Sequence, residues 1–559
     1  MKALEDGWYE LVTDRARAGS LYRYRIDREI EVPDPASRFN PQDVAGPSEV
    51  IDPDSFRWSD AGWRGHAWHA AVIYELHVGT FTPQGTYRAA IDRLAHLKAL
   101  GITMIELMPL AEFPGARGWG YDGVLPFAPE SAYGRPEDLK ALIDAAHSTG
   151  LSVLLDVVYN HFGPEGNYLG RYAQAFFSER HRTPWGAAIN FDERQSALVR
   201  EFFIQNALYW LRELHFDGLR FDAVHAICDD SPKHIMVELS ERIRAAFGAE
   251  RHVHLVLENG ANQAHFLGAP GTAGCFDAQW NDDIHHCLHV LLTDESDGYY
   301  ADYRDAPRAK LARCLTEGFA YQGERSEHAG NKSRGEPSAS LPPTAFVNFL
   351  QNHDQIGNRA FGDRLISYAR SAANLHAALA ILLLAPSPPM LFMGEEWGTQ
   401  TPFPYFCDFH GELARLVREG RRKEFAHFER FNDAAIADSI PDPGAPQTFD
   451  SAKLRWNELG RAEHRIWLER YRVMLAARHR YIVPELPFLG TPRVLSLRDS
   501  DVLEIDWPRD NGGTLRLSAR LSDTAAGEPL RAALPTSIYC AHPEPGTAGW
   551  FVRWSLDRI

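Results

Sequence analysis

PEDLKALIDAAHSTGLSVLLDVVYNH, residues 136–161, is the stretch that decides the fold. Its first half is amphipathic at helical spacing. Pro136 suits a first helical turn, where no amide proton is needed, and Gly150 suits the C-terminal stop. SVLLDVV, from Ser152, is then a short β-rich apolar run, and Asp156 falls at its end. Working outward, similar runs recur between Ala71 and Met393: VIYELHV from Val72, TMIELMP from Thr103, FDGLRFD from Phe216 and VHLVLEN from Val253. FDAQWN from Phe276, AFVNFLQNH from Ala345 and MLFMGEE from Met390 complete the set. Amphipathic segments such as YRAAIDRLAHLKALG lie between most of them. Strand then helix, repeated about eight times, is the pattern of an α/β fold closed as a (β/α)8 TIM barrel.

Two connections are longer than a barrel requires. One, Gly163 to Asp192, follows the third strand and carries Tyr168, Tyr172, Phe176, Phe177, Trp185 and Phe191. The other, GERSEHAGNKSRGEPSASLPP from Gly323, reads as a polar loop in a region where the helix after the sixth strand is poorly marked. Long loops in compact domains are usually functional, and after barrel strands they lie on the active-site face. The ends differ from the middle. Residues 1–50 alternate around Tyr22, Tyr24 and Ile26 and then run into prolines, which suggests two or three strands of a partial N-terminal β-sandwich remnant and a linker. Residues 51–483 are expected to form the barrel. Residues 484–559, with VLEIDW and TLRLSARL, are expected to form a small C-terminal β-sandwich domain. Two or three strands cannot close a sandwich, so either a longer natural form exists or the remnant packs on the barrel.

At 559 residues the chain has ample material for a core, with 45% hydrophobic and 24% charged residues. Its formal net charge of −17 argues against nucleic acid or an anionic membrane as partner. Six cysteines without metal-ligand spacing read as reduced thiols. The acidic start lacks a signal peptide's apolar core, and the longest apolar run, Leu375 to Ala385, is too short to span a bilayer. A cytoplasmic protein is expected.

Carboxylates cluster at the C-terminal ends of the expected strands: Asp156, Asp222, Glu258 and, after the seventh, Asp354. Singly, each reads best as a helix cap or structural ion pair. Four on one rim, with His161, Arg220, His225 and His353 beside them, read as chemistry. Glycosidic cleavage needs one carboxylate to attack or activate water and one protonated carboxyl to serve the leaving oxygen. Arg220 shares a strand face with Asp222, two residues away, where a cation would hold and aim that carboxylate. The apolar run HLVLE suits a Glu258 kept protonated by burial.

DVVYNH (Asp156 to His161), GLRFDAVH (Gly218 to His225), the Glu258 strand end and QNHD (Gln351 to Asp354) resemble, in order, the four signature regions of the α-amylase superfamily. The resemblance implies Asp222 as nucleophile, Glu258 as general acid/base and Asp354 as the third carboxylate. It also implies Arg220, His161 and His353 around the reacting sugar, with Tyr121 of GWGYDGV stacking beneath it; His225, Asp156, Asn160 and Trp185 complete the expected substrate-binding set. Within the superfamily the chain is most similar to the maltooligosyltrehalose trehalohydrolase family, through VIYELHVGTFTPQGTY, PWGAAINFD, FDAQWNDDIHH, FLQNHDQIGNRAFGDRL and LFMGEEWGTQTPFPYFCDF. That family cuts the α-1,4 bond next to a terminal α,α-trehalose; the substrate, maltooligosyltrehalose, makes maltooligosyltrehalose synthase a pathway partner. Two departures stand out: only the last strands of the family's leading β-sandwich, and ENGANQA after the acid, less acidic than expected.

No cofactor and no metal is expected. Asn160 occupies a position that helps bind calcium in some α-amylases, but its residue context reads as a hydrogen-bonding asparagine. His285, His286 and His289 read as packing or sugar contact. Alternatives are a glycogen-branching-type transglycosylase, which resembles the chain in WGYDGVLPFAPESAYG, a general α-amylase-type hydrolase, and a non-catalytic interaction subunit, which would be expected to have lost a carboxylate.

Overall fold

Eight parallel strands close into a barrel in chain order: β1 (Ile73–Leu76), β2 (Met104–Leu107), β3 (Ser152–Val157), β4 (Gly218–Phe221), β5 (His254–Leu257), β6 (Ala278–Trp280), β7 (Phe346–Phe349) and β8 (Pro389–Phe392), with β8 returning to β1. This is a computed structural model, and it describes residues 1–5, 8–248, 251–425, 439–496, 501–522, 530–541 and 549–558. All eight runs read from the sequence are strands. The period of two places alternate residues inside the barrel. Ile73, Met104, Leu154, Val256, Ala278, Val347 and Met390 fill its interior. Two residues further along the same faces stand Glu75, Glu106, Asp156 and Arg220, with Glu75 opposite Glu106 and Asp156 opposite Arg220 in register. One step along the barrel axis thus takes the interior from apolar packing to charge. Gly218 allows that packing, because a Cβ there would lie 2.3 Å from the His254 carbonyl oxygen and 2.6 Å from the Leu154 side chain.

Helix α1 (Pro136–Thr149) begins on its proline and ends at Gly150, whose φ of 81° is left-handed. YRAAIDRLAHLKALG, which reads as one helix, is two, Tyr87–Ile91 and Leu94–Leu100. The element poorly marked after β6 is a full helix, α2 (Asp282–Thr293), followed by a second, Pro307–Glu317. Every residue of α2 from Asp283 to Leu292 is buried, with His285, His286 and His289 among aliphatics such as Ile284, Leu288 and Leu292. His285 bonds the Leu350 carbonyl at 2.7 Å and His289 stacks on Tyr300 with ring centroids 3.9 Å apart. Both long loops carry structure: Phe177–Thr183 pairs with Gly186–Ile189, and Arg325–Ser326 pairs with Lys332–Ser333.

At the N-terminus the alternation around Tyr22 to Ile26 forms short ribbons, Leu21–Tyr22 on Ser48–Glu49 and Tyr24–Ile26 on Ile30–Val32, with a further pair at Lys2–Ala3 and Tyr9–Glu10. The later part of this region packs on the barrel. Arg38 lies over the rings of Phe127 and Tyr209, and Glu49 pairs with Arg135 at 2.7 Å. Earlier residues are exposed, Val12 by 87%. The C-terminal strands, β9 (Arg493–Ser496), β10 (Val502–Pro508), β11 (Thr514–Arg520), β12 (Thr536–Ala541) and β13 (Phe551–Asp557), form one antiparallel sheet in the order β9-β10-β11-β13-β12. A helix, α3 (Ala372–Leu384), packs against it in place of a second sheet, with Trp554 Nε1 donating to the Ala380 carbonyl at 2.9 Å. Packed between barrel and sheet, α3 is apolar on nearly all sides. Among the described residues no helix is long and apolar enough to cross a membrane. All six cysteines are free.

Candidate active site

Arg220 is the hub of the rim. Its guanidinium is fully buried and lies 4.0 Å from the centroid of the Trp280 ring. Nη1 donates to Asp156 at 2.6 Å and to Asp222 at 2.9 Å, and Nη2 lies 3.4 Å from Glu258. One cation therefore faces three carboxyls from three successive strands. Asp222 is held on its other oxygen by Asn160 Nδ2 at 2.7 Å. Asn160 Oδ1 in turn takes the Nδ1 proton of His161. Asn160 is thus committed at both ends to protein groups. Asp156 accepts from Tyr121 at 2.6 Å as well as from Arg220, and burial lifts its carboxyl to about 6 in spite of that cation. Asp156 and Asn160 are 2% exposed and stand behind Asp222, where they orient it and Arg220.

Glu258 is set by an unusual backbone. Ala223, directly after Asp222, has a φ of 39°, a left-handed conformation that a non-glycine residue adopts only under constraint. Its amide donates to Glu258 Oε2 at 2.6 Å. Burial pushes the Glu258 carboxyl up to about 8, with the charges of Asp222 and Asp354 adding to it and Arg220 opposing. The side chains of Asp222 and Glu258 are 12% and 17% exposed, while that of Asp354 is 39% exposed. The arrangement offers a fixed carboxylate beside a carboxyl that keeps its proton at neutral pH, which is the pairing glycosidic acid–nucleophile chemistry requires.

The remaining expected residues gather around these three. His353 stacks on Tyr121, with ring centroids 5.1 Å apart, and its Nε2 lies 3.5 Å from Asp354. His225 accepts from the Gly260 amide at 3.2 Å and faces the cavity. Burial lowers the basicity of both His161 and His225. Trp185, 51% exposed, stacks on His161 at 4.5 Å with the rings 11° apart, so the loop after β3 carries its aromatic face to the rim.

A cavity of about 570 Å³ opens beside Glu258 and Asp354. Its far wall is the hairpin of the polar loop, through Ser326, His328, Lys332 and Arg334. Of the aromatics on α2's flank, Tyr299 and Tyr303 line it, and His286 does so from α2. Sequence reasoning missed four contributors. Arg334 donates to Tyr303 at 2.7 Å and to Asp283 at 2.9 Å, which ties the hairpin to α2. Asp282 lines the cavity, and burial raises its carboxyl to about 7. Glu75 and Glu106 lie beneath. Only the last two left a signal, a lone glutamate inside each of the apolar runs VIYELHV and TMIELMP.

Among the described residues one trio, His181, Asp192 and Glu193, brings its ligand atoms within 4.8 Å of one another. It lies on the loop after β3, and Arg180 already donates to Asp192 at 2.7 Å, so a metal ion there would face a resident cation.

A family model for the alpha amylase catalytic domain matches residues 50–185. A malto-oligosyltrehalose trehalohydrolase of Deinococcus radiodurans is 46% identical over 480 residues, spanning 86% of this chain and 77% of its own. One from Saccharolobus solfataricus is 42% identical over 458 residues, spanning 82% and 78%. A crystal structure described as an alpha amylase from Salmonella typhimurium superposes with a TM-score of 0.92 at 46% identity, covering 100% of this chain and 94% of that one.

Proposed function

The chain belongs to the malto-oligosyltrehalose trehalohydrolases, glycoside hydrolases of the α-amylase family, and we propose that Asp222, Glu258 and Asp354 carry out its reaction. The bond cut is the α-1,4-glucosidic bond next to the terminal α,α-trehalose of maltooligosyltrehalose, and the products are trehalose and a maltooligosaccharide. In this reading Asp222 attacks the anomeric carbon and forms a glycosyl ester. Glu258 gives its proton to the departing oxygen, so trehalose leaves neutral. Glu258, now a carboxylate, takes a proton from water as that water attacks the same carbon and frees Asp222. Asp354 accepts hydrogen bonds from ring hydroxyls of the reacting sugar. Double displacement keeps the α configuration.

The observation that carries the assignment is the split between two neighbouring carboxyls. Asp222 is tethered on both oxygens by Arg220 and Asn160. Glu258 is anchored on one oxygen by the Ala223 amide and kept protonated mainly by burial. His161, His353 and Tyr121 frame the sugar, and Trp185 extends the platform. The cavity walled by the polar hairpin lies on the leaving-group side and receives the trehalose unit. A pocket that satisfies a hydroxyl pattern rejects a sugar that leaves buried polar groups unpaired. The substrate is the product of maltooligosyltrehalose synthase, which is the pathway partner. The free cysteines fit a reducing cytoplasm.

Product analysis tests the substrate. Glucosyl-trehaloses are expected to be cleaved with kcat/KM at least ~10²-fold above maltooligosaccharides of equal length, roughly 2.7 kcal/mol of transition-state binding. Free trehalose should be present from the first turnovers. Equal cleavage of maltopentaose and maltotriosyltrehalose would reduce the enzyme to a general α-glucan hydrolase.

A further inference from the structure

Two carboxyls under the rim have no part in that scheme. Glu75 on β1 and Glu106 on β2 face one another in register, and each is 1% exposed. Their surroundings differ. Glu75 spends both oxygens on a single residue: Oε1 accepts from His353 Nδ1 at 2.5 Å, and Oε2 accepts from the His353 backbone amide at 3.1 Å. Neither oxygen of Glu106 has a hydrogen-bond partner. A buried carboxylate without a partner is costly, so Glu106 keeps its proton; burial raises it, and the charge of Glu75 adds to that.

The ring of His353 is enclosed in a manner that suits a cation. Tyr121 covers one face with the planes 22° apart, Trp119 meets it edge-on at 5.3 Å, and Trp280 lies 6.0 Å away. The charged and titratable groups around it are Glu75 and Glu106 from β1 and β2, Asp156 and Arg220 from β3 and β4, His77 after β1, Tyr121 after β2, and Asp354 beside it. Arg220 is already matched to carboxyls of its own, and burial leaves His77 a poor base, down to about 4. The negative charge nearest the ring is that of Glu75 on Nδ1 and Asp354 at 3.5 Å from Nε2.

We propose that Glu75 is a positioning residue that fixes His353 as an imidazolium, with Nδ1–H held by the Glu75 carboxylate and Nε2–H presented to a hydroxyl of the reacting sugar. A charge-assisted donor is shorter and stronger than a neutral one. Two hydrogen bonds from one carboxylate, to the ring and to the same residue's backbone, also lock its direction. Burial alone would favour the neutral ring, but Asp354 and Glu75 outweigh it and bring His353 to about 9. The inference rests on the reading that Asp222 and Glu258 cut a glycosidic bond. It does not depend on which glucan is preferred.

The test is the pH profile of kcat/KM for Glu75→Gln, with any α-1,4-glucoside that the wild type cleaves. Glutamine keeps the shape and an acceptor but not the charge. In the wild type the alkaline limb reports loss of a proton from Glu258 or His353, raised to about 8 and about 9. In the variant the ring loses its proton first, so the limb should move acidward by at least ~1 pH unit, with a loss at pH 7.5 of about 10–100-fold that narrows at pH 5.5. A double-mutant cycle with His353→Asn should be strongly non-additive, with the double variant within ~3-fold of His353→Asn alone. An unmoved limb in Glu75→Gln, or additive losses in the cycle, would overturn the proposal. Should the glutamine variant not fold, Glu75→Asp decides: it keeps the charge one methylene short, so the limb should stay while kcat/KM falls, and undiminished kcat/KM would overturn the positioning role. A wild type that cleaves no glucoside would instead refute the reading beneath it.

Discussion

Replacing Arg220 by methionine is the most direct test of how the rim is held together. The side chain is fully buried, donates to Asp156 and Asp222 at 2.6 and 2.9 Å, and faces Glu258 at 3.4 Å. Methionine fills much of the volume over Trp280 but leaves the carboxyls without their cation. Breaking a buried ion pair by removing one partner costs about 3–5 kcal/mol. Tyr121 still donates to Asp156, and Asn160 to Asp222, so the lower end, ~3 kcal/mol, is expected. The pH dependence gives the reasoning its sign. Burial already raises Asp156 to about 6 and Glu258 to about 8 against the opposing pull of Arg220, so both rise further without it. A carboxyl whose folded pKa lies above its unfolded one contributes stability at low pH that is lost as pH rises through the folded value. The variant's deficit should therefore be small near pH 5 and largest near pH 8.5. Urea unfolding followed by fluorescence at both pH values measures it, taken as the midpoint of the first transition because a chain of this size need not unfold in one step. Arg220→Lys should recover only part of the deficit, since one ammonium cannot bridge all three carboxyls. Equal midpoints for wild type and methionine variant at pH 8.5, or a deficit larger at pH 5, would refute the view of Arg220 as the electrostatic hub.

Three further outcomes follow from the same geometry. Asp222→Asn and Glu258→Gln should each retain wild-type circular dichroism and lose turnover by at least ~10³-fold; near-normal activity in either would mean the residue is misassigned. Proton NMR in the first minutes of hydrolysis should show the α-anomer of the maltooligosaccharide first, as expected for two carboxyls ~5–5.5 Å apart, whereas an initial β-anomer would require a different base. The alkaline limb of wild-type kcat/KM should lie at about 8, where Glu258 loses its proton, and a limb near 5 would contradict the burial that raises it.

The eight strands, their order and the strand-end carboxylates were legible in the sequence because each rests on a local rule. β-rich runs alternate with helical periods, and polar residues must follow a strand that ends at a barrel mouth. Helix α2 was poorly marked, since every residue from Asp283 to Leu292 is buried, three histidines among them, and an imidazole that packs on tyrosine does not read as core. The hairpin within Gly323 to Pro343 and its anchor, Arg334 on Asp283, were hidden for a different reason: the partners lie 51 residues apart, and nothing local marks them as neighbours. The same holds for Glu75. Its glutamate stands out within an apolar strand, but its partner His353 is 278 residues further on and meets it only because β1 and the turn after β7 share the barrel rim. The sequence by itself determined which residues point inward and which groups stand at the strand ends, because strand alternation is a property of consecutive residues. Closure of the barrel decided how firmly each of those groups holds its proton, because that depends on burial and on charges brought in from other strands.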